Sequence, residues 1–290
     1  YKLFRVKDPK KIIVDEDKMT VEVKDDASFY PLFVDSDQEV VTDEWVAAKS
    51  GEATFNKMGE ISGVKSSIGV LDYRPGHHSS DQPAATHIGG KAAAGDGQVN
   101  YRKANQVWAE VEVGADQHKK WAKQARENGF KEVTKNGRIE SPEGVFSAKH
   151  AELKELPELG YYRYKTNPNM QGNWLISGEV KIIGKALTPK QLERIRKKQK
   201  TEDVPLLPEV IKKRKLGIKD LTGESIKELK TYYPKTLKKL LPKYMKYVDS
   251  LSPKERRSSG AKKQEDKGVL PSLQHVDLYQ RNIKDRFSRK

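Results

Sequence analysis

The abrupt division of charge and tryptophan along this chain limits its folding choices more than any other feature of the sequence. Of 56 Lys and Arg and 41 Asp and Glu, residues 188–290 hold 29 basic and 13 acidic side chains, a net of +16. Residues 1–187 hold 27 and 28, a net of −1, together with all four tryptophans, Trp45, Trp108, Trp121 and Trp174. Large aromatic side chains carry much of the surface a core can bury, whereas a block of like charge repels itself when compacted. The expectation is therefore an α+β fold. A compact, sheet-rich module spans residues 1–187, a helix and basic linker span 188–221, and a basic amphipathic helical region spans 222–290. The C-terminal region is expected to be largely helical and partly extended.

Composition removes several classes of function. Cysteine is absent, which excludes a disulfide framework, a thiolate nucleophile and Cys-ligated zinc. Uncharged apolar runs are only a few residues long, so no transmembrane segment is expected. The chain opens Tyr1-Lys2-Leu3-Phe4-Arg5 without an initiator Met, as a processed piece of a longer chain would.

Short runs of period two dominate the first part. Met19–Val23 alternates apolar and polar residues, and so does Val107–Val113. In the latter, Val107, Ala109, Val111 and Val113 share one face, and Trp108, Glu110 and Glu112 share the other. Phe29–Val34, Ile68–Arg74, Tyr161–Lys165 and Trp174–Ile183 are further strand candidates. A helix is expected over Asp116–Asn128, with Trp121, Ala122 and Ala125 on one side and Gly129 just past its end. Turns are read at Asn136-Gly137 and from Asn167-Pro168-Asn169 to Gly172-Asn173.

Groups able to do chemistry are densest from Leu71 to Gly90. Three of the six histidines, His77, His78 and His87, fall within eleven residues, directly after an expected strand. With Asp81 they could ligate a divalent metal or act as general acid or base. A hydrogen-bonded loop anchor is the plainer account, and no metal site is assigned. Gly89-Gly90-Lys91 fails as a phosphate loop, because Ala85 stands where the earlier Gly is required and Ala92 where Ser or Thr is required. No dinucleotide fingerprint follows a strand, so no cofactor is assigned. Tyr161-Tyr162-Arg163-Tyr164-Lys165 interleaves aromatic and basic residues as a nucleic-acid stacking surface would. The preferred reading is a strand with Tyr162 and Tyr164 inward, because the first part has no positive excess.

These stretches carry a resemblance. Tyr1–Arg5, Phe29-Tyr30-Pro31-Leu32-Phe33-Val34-Asp35, Glu44-Trp45-Val46, Val64–Gly69, Tyr73-Arg74-Pro75-Gly76, His78, Asp81 and His87-Ile88-Gly89 form its first half. Val107–Val111, Tyr162–Asn169, Gly172-Asn173-Trp174 and Ser177-Gly178 complete it. Over about the first 190 residues the chain resembles an uncharacterised module of bacteriophage and mobile-element proteins of Bacteroidetes, including large polyproteins of crAss-like phages. In that family a Trp usually precedes the matched His, and here His77 stands in its place. The resemblance implies a phage origin rather than a reaction. A looser likeness to ADP-ribosyltransferases, with an Arg/His strand, a Tyr strand and a late Glu, points to Arg74, His78, Tyr162 and Glu179. With Asp81 these are the catalytic candidates.

In the basic part, Thr188-Pro189-Lys190-Gln191 has the form of a helix start, with Thr as N-cap, Pro at the first position and Gln reaching back. Leu206–Gly217 reads as a linker carrying Lys212-Lys213-Arg214-Lys215. From Thr222 onward Ile226, Leu229, Tyr233, Leu237, Leu240, Leu241, Tyr244, Val248 and Leu251 recur at helical spacing, with Pro234 and Pro242 expected to kink or divide the stretch. Ser252–Gly268 reads as flexible, and Ser272 as the cap of a last helix. Lys197, Lys198, Lys212, Lys213, Arg214 and Lys215 are the candidate nucleic-acid contacts. No zinc finger or RNA-binding signature accompanies them, so base readout is not expected. The function expected is that of a virion-associated structural or internal cargo protein, present in host cytoplasm during assembly. Its basic region would contact packaged DNA or neighbouring virion proteins such as portal, tail or capsid components. The alternative is a phage-carried, nucleotide-using enzyme of ADP-ribosyltransferase-like type.

Overall fold

The computed structural model describes residues 1–85, 90–94, 97–127, 129, 134–135, 138–139, 146–147, 160–165 and 172–252. In chain order the strands are β1 (Lys2–Arg5), β2 (Ile12–Asp15), β3 (Thr20–Val23), β4 (Trp45–Ala47), β5 (Ala53–Phe55), β6 (Ile61–Ser66), β7 (Gly69–Leu71), β8 (His77–Ser80) and β9 (Gly90–Ala94). They continue with β10 (Gly97–Tyr101), β11 (Gln106–Glu112), β12 (Thr134–Lys135), β13 (Arg138–Ile139), β14 (Phe146–Ser147), β15 (Tyr161–Lys165), β16 (Trp174–Ser177) and β17 (Glu179–Ala186). The helices are α1 (His118–Glu127), α2 (Pro189–Gln199), α3 (Leu207–Arg214), α4 (Gly223–Tyr232) and α5 (Pro234–Ser250). Strands lie mainly in the first part and helices later, which makes the fold α+β.

The chain divides into two compact units. The first comprises Tyr1–Ile13, Val21–Ala84 and Asn105–Asp203, and the second Val14–Thr20, Ala85–Ala104 and Val204–Lys290. The antiparallel pair β2–β3 carries the chain out of the first unit and back.

Two four-stranded sheets organise the first unit, in the orders β1-β11-β17-β4 and β14-β15-β16-β8. All pairings are antiparallel except β14 with β15. The alternation at Val107–Val113 forms β11, and Trp108, on the face it shares with Glu110 and Glu112, is 1% exposed. Both faces of β11 are covered at that end. The indole N–H of Trp108 donates to the Asp203 carboxylate at 3.1 Å, and Arg196 of α2 pairs with the same carboxylate at 2.6 Å. By these contacts α2 belongs to the first unit, packing with Leu192 inward. Its Thr188–Gln191 capping box forms as the sequence implies.

Three expected strands are shortened or broken. In Phe29–Val34 only Phe29 and Tyr30 make bridges. Pro31 offers no N–H to a ladder, and the chain then turns through Asp35 at φ +48°. Ile68–Arg74 retains only Gly69–Leu71. Trp174–Ile183 is interrupted at Gly178, where the chain leaves one sheet as β16 and enters the other as β17. The helix expected at Asp116–Asn128 is α1, with Trp121, Ala122 and Ala125 buried and Gly129 following at φ +78°.

The second unit joins the β9–β10 hairpin to α3, α4 and α5. The expected linker Leu206–Gly217 is instead helical, because Leu207, Val210 and Ile211 recur at helical spacing and are buried, and Glu209 reaches back to the Leu206 N–H at 2.7 Å. Pro234 divides α4 from α5 by standing at the first position of α5. Pro242 lies on its exposed side and does not end it. The N-cap residue of α5, Tyr233, offers no side-chain bond, and Glu16 takes that role from afar. Its carboxylate accepts the N–H of Lys235 at 2.9 Å, the N–H of Thr236 at 2.8 Å and the Thr236 hydroxyl at 2.8 Å. Residues 253–290, with the helix expected from Ser272, lie outside the described residues. Among the described residues no helix is long and apolar enough to cross a membrane.

Candidate functional site

The His-rich segment is a strand rather than a loop. β8 pairs with β16, and β16 with β15, in a register that aligns His78, Ile176 and Tyr162 in one cross-strand row and Ser80, Trp174 and Tyr164 in the next. Side chains two apart share a face, so His78, Tyr162 and Tyr164 project from the same side of the sheet. His77 points to the other side, where its Nε2 lies 3.0 Å from the Val46 carbonyl. The two adjacent histidines therefore cannot ligate one ion together. His87 lies outside the described residues, and among those described no three His, Asp or Glu side chains gather as a metal site requires.

His78 is fixed at both ring nitrogens. Nε2 lies 2.8 Å from the Arg74 carbonyl and Nδ1 3.0 Å from the Tyr164 hydroxyl. A carbonyl only accepts, so Nε2 carries the hydrogen and Nδ1 accepts from the Tyr164 O–H. Burial, with the nearby Lys2 and Arg74 cations, lowers the imidazole pKa to about 4 despite the bond to the Arg74 carbonyl. The ring is neutral at physiological pH and has no free nitrogen with which to take a substrate proton. Lys2, itself buried, donates from Nζ to the His78 carbonyl at 2.9 Å and steadies the strand from below.

Around this histidine the structure gathers two further catalytic candidates, Arg74 and Tyr162, and one residue that was not among them, Tyr164. The Arg74 guanidinium lies 5.7 Å from the Tyr164 ring centre, and its Nη2 reaches Asp72 at 3.1 Å. The Arg74 side chain is 18% exposed, whereas Asp72 is 71% exposed. Tyr162 and Tyr164 are 2% and 3% exposed. Burial pushes both phenols far above their ordinary range. Tyr162 stacks on Trp121 of α1 with ring centres 4.6 Å apart, and Trp121 stacks on His118 at 5.6 Å. His118 Nδ1 accepts the Arg163 N–H at 2.9 Å, tying α1 to β15.

Asp81 and Glu179 stand elsewhere. Asp81 follows β8 and accepts from the N–H and side-chain amide of Asn173 at 2.9 and 3.2 Å, anchoring a loop. Gly172 is required there: at φ +71° its Cβ would fall 2.2 Å from an Asp81 carboxylate oxygen. Glu179 opens β17 opposite Ala47, in the other sheet.

The six basic candidates divide between the units. Lys197 and Lys198 are exposed on α2 of the first unit. Lys212, Lys213, Arg214 and Lys215 are exposed on the last turn and C-cap of α3 in the second. A further set was not singled out by sequence. Lys239, Lys243 and Lys246 fall within about 60° of one another around α5 and span about 10 Å of its axis. They face away from the buried Leu237, Leu240, Tyr244 and Val248. Their spacing of four and three residues, out of phase with those apolar positions, was the available signal.

No protein-family model, curated protein or solved structure matches this chain.

Proposed function

We propose that this is a virion-associated bacteriophage protein, structural or internal cargo, whose basic helical unit holds the phosphodiester backbone of packaged DNA without reading its bases. The phage setting rests on the sequence resemblance. The observation that carries the binding mode is the outward basic surface of the second unit. Lys212, Lys213, Arg214, Lys215, Lys238, Lys239, Lys243 and Lys246 are exposed, and none is ion-paired among the described residues. Duplex DNA presents one negative charge per about 1.7 Å of axis, so a lysine row of this length meets several phosphates. The apolar stripes of α3, α4 and α5 are used in the unit's own interior. They are not free to lie in a membrane interface, which requires an uncovered apolar face, nor to dock a partner subunit by that face. Contacts with other virion proteins would fall on other surfaces.

The test is binding of the full chain to two unrelated duplexes over a salt series. The expected outcome is equal affinity for both and a steep fall with salt. Replacing Lys239, Lys243 and Lys246 with Gln, together with the four basic residues of Lys212–Lys215, should flatten the salt slope by about 0.9 for each phosphate that is no longer neutralised. No binding at about 150 mM salt, a physiological ionic strength, would overturn the DNA reading. Absence of the chain from purified particles would overturn the virion reading.

A further inference from the structure

The sheet face built on His78 has a surplus of buried donors. The Tyr164 hydroxyl is paired with His78 Nδ1 at 3.0 Å. Tyr162, two residues along the same strand and on the same face, carries a buried hydroxyl with no hydrogen-bond partner among the described residues. The Nε of Arg74 is buried and likewise without an acceptor. A guanidinium N–H can only donate, so what is missing is an acceptor. Among the described residues no carboxylate supplies it: Asp72 meets Arg74 through Nη2, and Asp81 is committed to Asn173. Burying such groups unpaired is unfavourable, so among the described residues this face lacks an acceptor. His78 is neutral and held in one orientation, so it adds no competing charge.

We infer that this face binds a small oxyanion, a carboxylate or phosphate group, which accepts from Arg74 Nε and from the Tyr162 hydroxyl. The guanidinium supplies the compensating charge, and burial strengthens an interaction that water would screen. Tyr162 is backed by the Trp121 ring and the row of β8, β16 and β15, so its hydroxyl is positioned before the anion arrives. This site belongs to the first unit and is independent of the lysines assigned to DNA.

Calorimetric titration of the full chain with inorganic phosphate, and separately with acetate, tests this at constant ionic strength. Tyr162→Phe keeps every charge, so phosphate held loosely by surface lysines contributes equally to both proteins. Saturable one-to-one binding of either anion is expected, weakened roughly tenfold or more in Tyr162→Phe, as loss of one hydrogen bond to a charged group implies. Phosphate bound and acetate not would assign the site to phosphoryl ligands; the reverse would assign it to carboxylates. Arg74→Gln should abolish binding, and near-ultraviolet circular dichroism of both variants checks that the aromatic stack survives. The inference is overturned if neither anion binds saturably, or if Tyr162→Phe binds as the parent does. Should Tyr162→Phe lose the aromatic signal, Arg74→Gln alone decides, and unchanged binding there overturns it.

Discussion

His78 loses more by accepting a proton than a solvated histidine would, because both its nitrogens are engaged and its surroundings are poor in water. Its pKa falls to about 4 and that of His77 to about 3, chiefly through burial. Stability from these two groups is fully present above the ordinary value near 6.5 and is lost as pH falls below it. Glu228 of α4 behaves in the opposite sense. It is 6% exposed, and burial raises its pKa to about 6 although it accepts the Ala104 N–H at 2.7 Å and lies near Lys103 and Arg102. Its contribution to stability grows as pH falls from about 6 towards 4.5. Glu228→Gln keeps an acceptor for Ala104 and removes the buried charge. The variant is expected to gain up to about 2 kcal/mol at pH 7, from about 1.4 kcal/mol per pKa unit, and to match the parent near pH 4.5. Urea unfolding across pH 4.5–8 measures this, and a constant difference between the two proteins would refute it. None of these shifts was legible in the sequence. Adjacent histidines looked like a loop because Pro75-Gly76 precedes them, and only the pairing with β16 reveals that they alternate across a strand.

Elements were legible where a single face decides the pattern and illegible where both faces are buried or a distant residue supplies the cap. The capping box at Thr188 and the stripe of α1 could be read directly, since every group involved lies within one turn of its partner. Trp108 could not be placed, because the group that covers it, Asp203, is 95 residues away. The helix α3 was hidden because its apolar residues are few and its end is basic, although cations in a last turn favour a helix. The start of α5 had no visible cap, because Glu16 lies 219 residues before Lys235. Glu16→Ala removes three hydrogen bonds at the positive end of α5, and a cost of about 1–2 kcal/mol is expected. Neighbouring Asp17 pairs with the Lys235 ammonium at 2.7 Å, but both side chains are well exposed. Asp17→Ala should therefore leave stability nearly unchanged. Equal effects in the two variants, read from urea midpoints, would show that Glu16 acts as an exposed charge and not as a cap.

For the whole molecule, charge and tryptophan content revealed two characters but not the path of the chain between them. Each unit is assembled from three stretches of sequence, so composition averaged along the chain blurs the division. The stretch after residue 187 shows this. By composition α2 joins the basic part, yet its Arg196 donates to the Pro83 carbonyl at 3.0 Å and pairs with Asp203, which holds the Trp108 indole. A chain ending at Leu187 loses that network and leaves Trp108 and the face beneath α2 uncovered, whereas a chain ending at Asp203 keeps both. Losing the Asp203 acceptor leaves the buried Trp108 indole N–H unpaired, at about 1–3 kcal/mol, and exposing part of Trp108 and the surface that Leu192 covers adds to it at about 25 cal/mol per Å² of apolar surface. The 1–203 chain is therefore expected to melt cooperatively and several degrees above the 1–187 chain when followed by near-ultraviolet circular dichroism. The 203-residue chain should also bind more of a hydrophobic dye than the full protein, because Tyr101 and Ala104, buried in the second unit, lose the helices that cover them. Identical melting of the two truncations would mean that α2 contributes nothing to the first unit's stability, and the basic region would then begin at residue 188 in energy as well as in composition.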